Sequence, residues 1–414
     1  MTRADGVPAF FPLYSAFAAG YLLSYLYRTV NAVISPELTR DLALHPSSLG
    51  FLTSAYFIAF AAMQVPVGML LDRYGPRRVE PVLLAIAATG ALAFSVSDGL
   101  AGLTLGRGLI GAGVAACLMA PLKGLSVWYP PERQASLAGW MMVAGGLGAL
   151  VATTPLDYAL RFVSWRVVFA SLSALTLAVA VWIWLRVPDT PGPHAASSFA
   201  VQWEGVKRVF GHPRFWWIAP LGGFGMGAFM AIQGLWAVPW MIEVEGLTRA
   251  AAAQVLLAMS LMSLSGYLFL GMFATRLRRR GILPRHLFGV GFALNALALG
   301  MIVAGAPGSP AWWSLYGLGA AANILLFAVI NEGFPPEITG RANTAANLMM
   351  FVGSFASQWG IGLVADAARV LAGADAAGGL RIAFAVVLLL ELATLAWFAL
   401  GWRRHAVHGA VTAE

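Results

Sequence analysis

Arg28 is the residue whose type and position most strongly suggest chemistry, because it lies inside the apolar segment 10–34. A guanidinium group offers two parallel N–H donors that match a carboxylate or a phosphate. Tyr25 and Asn31 stand three residues to either side, so helical spacing places them on the same face. The pattern predicts an anion site. The alternative is a side chain that extends to the polar end of the segment, about 9 Å away.

Lys123 is a second basic residue inside an apolar segment, 101–127. It is either a second cation for the same anion or part of a gate near the end of that segment. A lysine stem that carries its ammonium group to polar surroundings explains the position comparably well.

The later apolar segments carry neutral polar residues where the first one carries a charge. Gln233 corresponds to Arg28 at an offset of 205 residues. A polar stripe in an apolar helix faces protein or a water-filled cavity rather than lipid. For Asn347 and Gln358, cavity lining and hydrogen bonds between helices are equal alternatives, as are a substrate wall and packing for Trp236. A neutral residue at the position of Gln233 predicts an asymmetric site with Arg28 as its main cation. The set consists of Gln233, Trp236, Asn323, Asn347 and Gln358.

Two stretches of the chain recur at almost the same offset. The sequence GMLLDRYGPRR at 68–78 is followed by the related GMFATRLRRRG at 271–281, 203 residues later. YPPER at 129–133 is matched by FPPE at 334–337, 205 residues later. The chain is therefore a duplicated unit of about 200 residues, and in membrane proteins parallel repeats build two halves that rock around a central site.

Composition places these elements in a bilayer. Hydrophobic residues make up 59% of the 414 residues and charged residues only 11%, whereas a soluble domain carries roughly a quarter charged residues. A single cysteine, Cys117, excludes an intrachain disulfide. We predict twelve spanning helices of about 20 residues. Their ranges are 10–34, 48–71, 80–97, 101–127, 135–157, 164–186, 215–241, 250–274, 285–305, 310–332, 342–366 and 379–401.

The predicted organisation is six helices, a linker and six helices. The bundles are 1–187 and 214–414, and the segment 188–213 is a Pro- and Gly-rich cytoplasmic linker with a short amphipathic stretch. Arginines concentrate in the loops 72–79 and 275–286, which predicts that these loops and both termini are cytoplasmic. The net charge of +8 is therefore a signature of topology and predicts no nucleic-acid partner.

These motifs resemble those of the major facilitator superfamily. The stretch 68–78 resembles its G-x-x-x-D-R-x-G-x-R-R loop, and 107–113 resembles its R-x-x-x-G-x-G element. The resemblance covers residues from 21 to about 402. The sequences around Tyr27, Pro36 and Trp128 are most similar to the organic-anion-transporting branches. The resemblance implies two six-helix pseudo-repeats in an all-α membrane fold.

The resemblance also implies roles in conformational change. Asp72 would help latch the cytoplasmic side when the protein faces outward, with neighbouring residues sharing that network; the alternative is a basic loop that sets topology alone. Gly68 and Gly75 suit a close helix approach and a tight turn. Arg107 would have a structural or coupling role. The full set is Gly68, Asp72, Arg73, Gly75, Arg77, Arg107, Glu132 and Arg133.

Energy coupling has few candidates in this sequence. Proton-coupled relatives commonly have an Asp beside the first-helix arginine, where this chain has Tyr27. The remaining acids are Glu391, in a last helix that usually lies outside the cavity, and Glu332. Coupling to a proton or counter-ion, exchange and facilitated diffusion all stay open.

We therefore predict a monomeric bacterial inner-membrane transporter of a small, carboxylate-like organic anion that works by alternating access. A drug or metabolite efflux antiporter is the alternative, and it would tolerate loss of Arg28. A transporter-like ligand sensor is an alternative of another class. The sequence predicts no enzyme activity, cofactor or metal site, because it contains no catalytic set, phosphate-binding loop or cluster of metal-ligand residues.

Overall fold

The computed structural model describes residues 10–129, 131–189, 199–331, 334 and 336–406. The described residues form helices and turns without a β-strand. The chain divides into two compact units, Met1–Gln202 and Trp203–Glu414. The predicted linker surrounds this division, but its residues 190–198 lie outside the described part, so the predicted domain boundaries stay a prediction.

The N-terminal unit is built from six helical passes, of which α4 consists of two segments. Within it, α3 packs against α4 and α6, α2 packs against α4, and α1 packs against α5 and α6. A short helix, Thr154–Ala159, follows α5. The passes are α1 (Phe10–Leu42), α2 (Pro46–Tyr74), α3 (Pro76–Val96), α4 (Leu100–Gly113 and Met119–Trp128), α5 (Pro131–Val151) and α6 (Trp165–Arg186).

The C-terminal unit also holds six passes. The amphipathic helix Phe199–Phe210 precedes them. In this unit α8 and α9 pack against α10, and α11 packs against α7 and α12. The passes are α7 (Pro213–Glu243), α8 (Arg249–Arg279), α9 (Pro284–Val303), α10 (Ser309–Ala320, Ala321–Ile324 and Leu325–Asn331), α11 (Pro336–Ala372) and α12 (Ala376–Ala406).

Ten of the described helices are long and apolar enough to cross a membrane. The two other predicted spans, 10–34 and 101–127, coincide with α1, which is 33 residues long, and with the two-segment α4. Each predicted span thus corresponds to one helical pass. The predicted all-α membrane fold is confirmed, and the chain is a multi-pass membrane protein.

Proline and glycine set the ends of several helices. Pro46, Pro76 and Pro284 begin α2, α3 and α9 at the first helical turn, where the missing N–H of proline leaves no hydrogen bond unmade. Gly75 separates α2 from α3 with a φ of 73°, a backbone conformation that favours glycine. The repeated loop is therefore a reversal of the chain between two long helices.

Three passes depart from regular α-helix inside their length. A turn separates the two segments of α4 and includes Cys117. In α7, π-helical turns at Leu221–Gly225 and Ile232–Trp236 flank an ordinary helical turn. In α10 the segment Ala321–Ile324 is a 3₁₀ turn. Such irregular turns free backbone groups and often mark functional positions, and Gln233 and Asn323 lie in two of them.

Candidate functional site

Arg28 lies within the N-terminal unit with only 8% of its surface exposed. Its guanidinium carbon is 4.4 Å from the ring centroid of Tyr25 and 5.7 Å from that of Phe60 on α2. Tyr56 is close enough to hydrogen-bond to it, and Tyr21 is within electrostatic range. The positive charge is therefore held against aromatic faces and hydroxyl groups, and a planar guanidinium is a group that can pair with an anion.

Asn31 follows Arg28 by about one helical turn and is completely buried. Neither atom of its amide group forms a hydrogen bond with a residue that the structure describes. An unsatisfied buried polar group costs about 1–3 kcal/mol, so such a side chain is retained where a ligand or water completes it. Tyr25, which is half-buried, lies on the same side of α1.

The other side of α1 anchors these residues. The Tyr27 hydroxyl is 2.9 Å from Thr176 Oγ1 on α6. Arg107 Nη1 donates a 3.0 Å hydrogen bond to the Tyr27 carbonyl oxygen, and its guanidinium lies 5.1 Å from the Tyr56 ring centroid. Arg107 is 1% exposed and ties α4 to α1 and α2. Tyr27 therefore points away from the face that carries Arg28.

A glycine on α5 sets how closely the tyrosine face of α1 can be approached. A Cβ atom added at Gly145 would lie 2.7 Å from a ring carbon of Tyr21 and 2.9 Å from one of Tyr25. The two rings form an edge-to-face pair with centroids 5.1 Å apart. The absence of a side chain at Gly145 therefore lets α5 hold Tyr25 in position beside Arg28.

Lys123 lies away from this face and forms an ion pair with Asp72. The lysine side chain is 24% exposed and the aspartate side chain 38% exposed, so the pair links α4 to the end of α2 in a partly solvated position. Of the two roles predicted for Lys123, this contact favours the gate over the second substrate cation. Both residues are candidates from the sequence, but their contact was not predicted.

The arginines of the same loop have other partners. Arg77 donates a 3.2 Å hydrogen bond to the Trp184 carbonyl oxygen and forms a 2.8 Å ion pair with Asp189. Arg73 lies 5.2 Å from the ring centroid of its neighbour Tyr74. The loop thus joins α3 to the end of α6. Gly68 is half-buried on α2.

Several predicted residues fall outside what the structure describes. The side chains of Glu132 and Arg133 at the start of α5 are not among the described ones, and Glu332 lies between described residues 331 and 334. The side chain of Thr275, which replaces the acid of the loop in the second repeat, is also outside. Their predicted roles in gating and coupling stay predictions.

The predicted polar residues of the C-terminal unit divide into two groups. Gln233 donates a 3.2 Å hydrogen bond to Ser260 Oγ on α8, and Trp236 Nε1 donates a 2.9 Å bond to the Gln358 carbonyl oxygen on α11. These contacts hold α7 to its neighbours. In contrast, Asn323 and the Oε1 atom of Gln358 are buried without a hydrogen-bond partner among the described residues. Asn347 is half-buried.

Glu391 faces the interior of the C-terminal unit, although α12 exposes much of its surface. It is 2% exposed, and neither carboxylate oxygen forms a hydrogen bond with a described residue. The buried hydroxyl of Tyr316 on α10 is within electrostatic range. Asn295 on α9 donates a 2.9 Å hydrogen bond to the Tyr316 carbonyl oxygen, which fixes this part of α10.

Glu80 is a buried acid that sequence analysis missed. The third span was predicted to begin at residue 80, which would place the carboxylate at a polar boundary. Helix α3 instead begins at Pro76, so Glu80 lies about one turn inside and is completely buried. The signal that could have found it is an acidic residue followed directly by a long apolar run, because a charge adjoining such a run is costly. No group of three or more metal-ligand side chains occurs in the described part of the chain.

The family comparison covers most of the chain. The family model of the Major Facilitator Superfamily matches residues 17–358. Among solved structures, a bacterial homologue of the human lysosomal transporter Spinster, inward-facing and unoccupied, has a TM-score of 0.75 at 17% identity over 94% of this chain and 96% of that one. A D-xylose–proton symporter has a TM-score of 0.74 at 17% identity over 93% of this chain and 97% of that one. At this identity the likeness shows the fold.

Similar sequences include transporters of sugar acids. The hexuronate transporter of Escherichia coli K12 is 29% identical over 166 residues, which are 40% of this chain and 38% of that protein. The galacturonate transporter of Dickeya chrysanthemi is 26% identical over 166 residues, 40% of this chain and 48% of that protein. The probable galactarate/D-glucarate transporter GudP of E. coli K12 is 21% identical over 412 residues, which are 89% of this chain and 90% of that protein. The first two alignments span less than half of the relatives' length.

Proposed function

The chain belongs to the Major Facilitator Superfamily, and from this premise we propose that it is a secondary transporter of a small organic anion. The observation that carries the proposal is the environment of Arg28: a buried guanidinium lies against Tyr25 and Phe60, and the unsatisfied amide of Asn31 follows on the same helix. A cation held in this way is suited to one carboxylate group. The transport mode is alternating access.

The substrate class that we propose is a hydroxylated carboxylate. Arg28 would bind the carboxylate through two parallel hydrogen bonds, which fixes the orientation of the anion. Asn31 can both donate and accept, and so suits a hydroxyl group near that carboxylate. The substrates after which the relatives are named, hexuronate, galacturonate and galactarate/D-glucarate, are carboxylates of this kind and support the choice.

The C-terminal unit carries its own set of neutral amide groups. Asn323 and Gln358 have unsatisfied buried amide atoms, and Gln233 and Asn347 are half-buried amides. We assign Trp236 a structural role, because its indole N–H donates a hydrogen bond to the Gln358 carbonyl oxygen on α11.

We assign the loop between α2 and α3 to conformational change. The pair of Asp72 and Lys123 joins α2 to α4, and Arg77 joins α3 to the end of α6. We propose that both termini face the cytoplasm, since the arginine-rich loops define that side. The transporter is proposed to act as a monomer in the bacterial inner membrane, without enzyme activity.

Thermal-shift measurements on the purified protein test the Arg28 assignment. The panel contains hexuronates, aldarates, short monocarboxylates, phosphate esters and the uncharged parent sugars. We expect a carboxylate to raise the unfolding temperature of the wild type and of Arg161→Ala, a surface control whose side chain is 57% exposed. Arg28→Ala should show no shift, because the ligand's counter-charge is lost.

Two results would contradict this function. If Arg28→Ala responds to the same anion as strongly as the wild type, Arg28 does not anchor the substrate. If no anion stabilises the wild type while lipophilic cations or neutral drugs do, the efflux alternative replaces anion transport. Uptake into proteoliposomes with the stabilising ligand then establishes transport itself, and binding without uptake would favour a ligand sensor.

A further inference from the structure

We propose that the end of α8 carries a binding site for an anionic phospholipid. Arg276 and Arg280 hold the phosphate group of the lipid, and Phe269 and Phe273 contact the start of an acyl chain. The site lies outside the predicted substrate and gating sets, and it does not depend on which solute is transported.

An open groove runs along one face of α8. It encloses about 460 Å³ and is lined by Phe269, Phe273, Arg276, Leu277 and Arg280. Clefts of this size accommodate small ligands. The steps of four, three, one and three residues place all five side chains on one side of a helix. The groove is therefore a continuous surface that is apolar at one end and basic at the other.

Two phenyl rings form the apolar end of the groove. The ring centroids of Phe269 and Phe273 are 5.0 Å apart, and Phe269 is 51% exposed. Exposed phenyl rings are unfavourable in water and favourable against hydrocarbon. The apolar part of α8, Arg249–Phe273, ends at the second ring, in agreement with the predicted span 250–274. The rings therefore lie where the acyl chains of a bilayer begin.

The arginines extend the groove beyond the apolar span. Arg276 follows Phe273 by about 4.5 Å of helical rise, and Arg280 follows it by about 10 Å. The guanidinium carbon of Arg276 is 5.4 Å from the ring centroid of Phe273, so the charge adjoins the aromatic end directly. Phosphate headgroups lie at this depth, just outside the hydrocarbon core. A guanidinium group matches a phosphate with two parallel N–H donors.

The arginines of this groove have no acidic neighbour along the chain. The sequence contains no Asp or Glu from residue 246 to residue 331, which includes α8, α9 and α10. No ion pair within the described part of the chain involves Arg276 or Arg280. In the corresponding loop of the first repeat, Arg77 and Arg78 both pair with Asp189. Charge complementarity therefore favours an anionic ligand at α8.

A phospholipid is the occupant that matches both ends of the groove. A soluble phosphate would engage the arginines alone and leave the phenyl rings uncovered. Each basic residue close to an anionic membrane surface strengthens attachment by roughly 5-fold, so the two arginines together should contribute roughly 25-fold. The preference for an anionic headgroup is therefore large enough to measure.

Native mass spectrometry of the full-length protein in a neutral detergent tests the basic end. Wild type should bind phosphatidylglycerol roughly 25-fold more tightly than phosphatidylcholine with the same acyl chains. Combining Arg276→Gln with Arg280→Gln should remove that preference. Combining Arg278→Gln with Arg279→Gln is the matched control, because it removes two charges from exposed arginines that do not line the groove. The control should keep most of the preference.

Two results of this experiment would overturn the site. Equal loss of the preference in both double variants would indicate unspecific attraction to a basic segment. A groove variant that still prefers phosphatidylglycerol would show that the arginines do not hold the headgroup. If the double groove variant does not fold, Arg276→Gln and Arg280→Gln are measured singly, and each should reduce the preference roughly 5-fold.

Competition distinguishes a lipid from a soluble phosphate. Inorganic phosphate and glycerol phosphate, which lack acyl chains, should displace phosphatidylglycerol only weakly. Phe269→Ala should weaken phosphatidylglycerol binding roughly 3-fold or more. Leu268→Ala, at an exposed apolar residue of α8 outside the groove, should leave it unchanged. Displacement by the phosphates at the same concentration as by the lipid, or an unchanged affinity in Phe269→Ala, would overturn the lipid assignment.

Hydrogen exchange in lipid nanodiscs locates the bound lipid. Backbone amides of residues 276–282 should exchange more slowly in nanodiscs that contain phosphatidylglycerol than in nanodiscs of phosphatidylcholine alone. The difference should disappear in the double groove variant and persist in the control variant. Unchanged exchange at this segment would contradict the placement of the lipid at the end of α8.

Discussion

Arg28 in the N-terminal unit and Gln233 in the C-terminal unit occupy corresponding positions of the duplicated sequence, but their surroundings differ. Arg28 lies against aromatic rings, with the unsatisfied amide of Asn31 one turn away. Gln233 lies in a π-helical turn and donates to Ser260 within its own unit. The two repeats therefore share the same helical passes but differ in the polar residues at corresponding positions. The charged residue belongs to the first unit, and the second unit has a neutral amide at the corresponding position.

The buried acids of the two units differ in the same way. Glu80 is enclosed by α1, α3 and α6 with the Cys117 thiol beside it, and Cys117 is in turn near Arg28. Glu391 lies on the last helix, near the hydroxyl of Tyr316. The two buried acids therefore have different neighbours, a thiol for Glu80 and a phenol hydroxyl for Glu391.

The largest effect should come from exchanging the charge between the units. Arg28→Gln should reduce uptake roughly 100-fold or more, since a charged hydrogen-bonded pair is lost. Adding Gln233→Arg to this variant should fail to restore uptake, because position 233 lies in a π-helical turn and its side chain contacts Ser260. Uptake rates in proteoliposomes, normalised to folded protein, measure both. Restored uptake in the double variant would show that the two positions are interchangeable.

A smaller effect distinguishes Asn31, whose amide forms no hydrogen bond with a described residue, from Asn295, whose Nδ2 atom donates one. Asn31→Leu should abolish ligand-induced stabilisation while leaving the ligand-free protein as stable as wild type or up to about 1–3 kcal/mol more stable, because a buried unsatisfied group is removed. Asn295→Leu is the matched control. It should destabilise the ligand-free protein by about 1 kcal/mol through loss of the bond to the Tyr316 carbonyl. Denaturation curves of the ligand-free proteins measure the change in unfolding free energy of each variant. Equal destabilisation of both variants would contradict the distinction.

Trp236→Phe should have a moderate effect on stability and little on anion binding. It removes the single hydrogen bond from the indole to the Gln358 carbonyl, worth about 1 kcal/mol, and keeps most of the aromatic packing. We expect a lower unfolding temperature with an unchanged ligand-induced shift. A variant of normal stability that no longer responds to the anion would place Trp236 among the substrate contacts.

The smallest effect should be that of the ion pair between Asp72 and Lys123. Both side chains are partly exposed, so a double-mutant cycle of Asp72→Asn and Lys123→Gln should give a coupling of about 1 kcal/mol or less. Anion affinity should change little in Lys123→Gln if the lysine belongs to the gate. A loss of affinity comparable to that of Arg28→Ala would return Lys123 to the substrate site.

The sequence was sufficient for the architecture because spanning helices depend on local properties. The length and hydropathy of each segment predicted a helical pass, and ten of the described helices are long and apolar enough to cross a membrane. The shared face of Tyr25, Arg28 and Asn31 on α1 could also be predicted from the sequence, because helical spacing fixes which side chains lie on the same side. The irregular turns at Gln233 and Asn323 were not predicted, because they depend on how neighbouring helices satisfy the backbone.

What only the tertiary structure decided is which polar groups meet and which are left unsatisfied. The sequence by itself determined a duplicated membrane protein with one prominent arginine, because hydrophobicity and repeat spacing are read along a single chain. The partnership of Lys123 with Asp72, the rotation of Tyr27 toward Thr176 and the complete burial of Glu80 depend on the rotation and depth of each helix in its bundle. Those two quantities result from packing all six helices of a unit together, so no single segment specifies them.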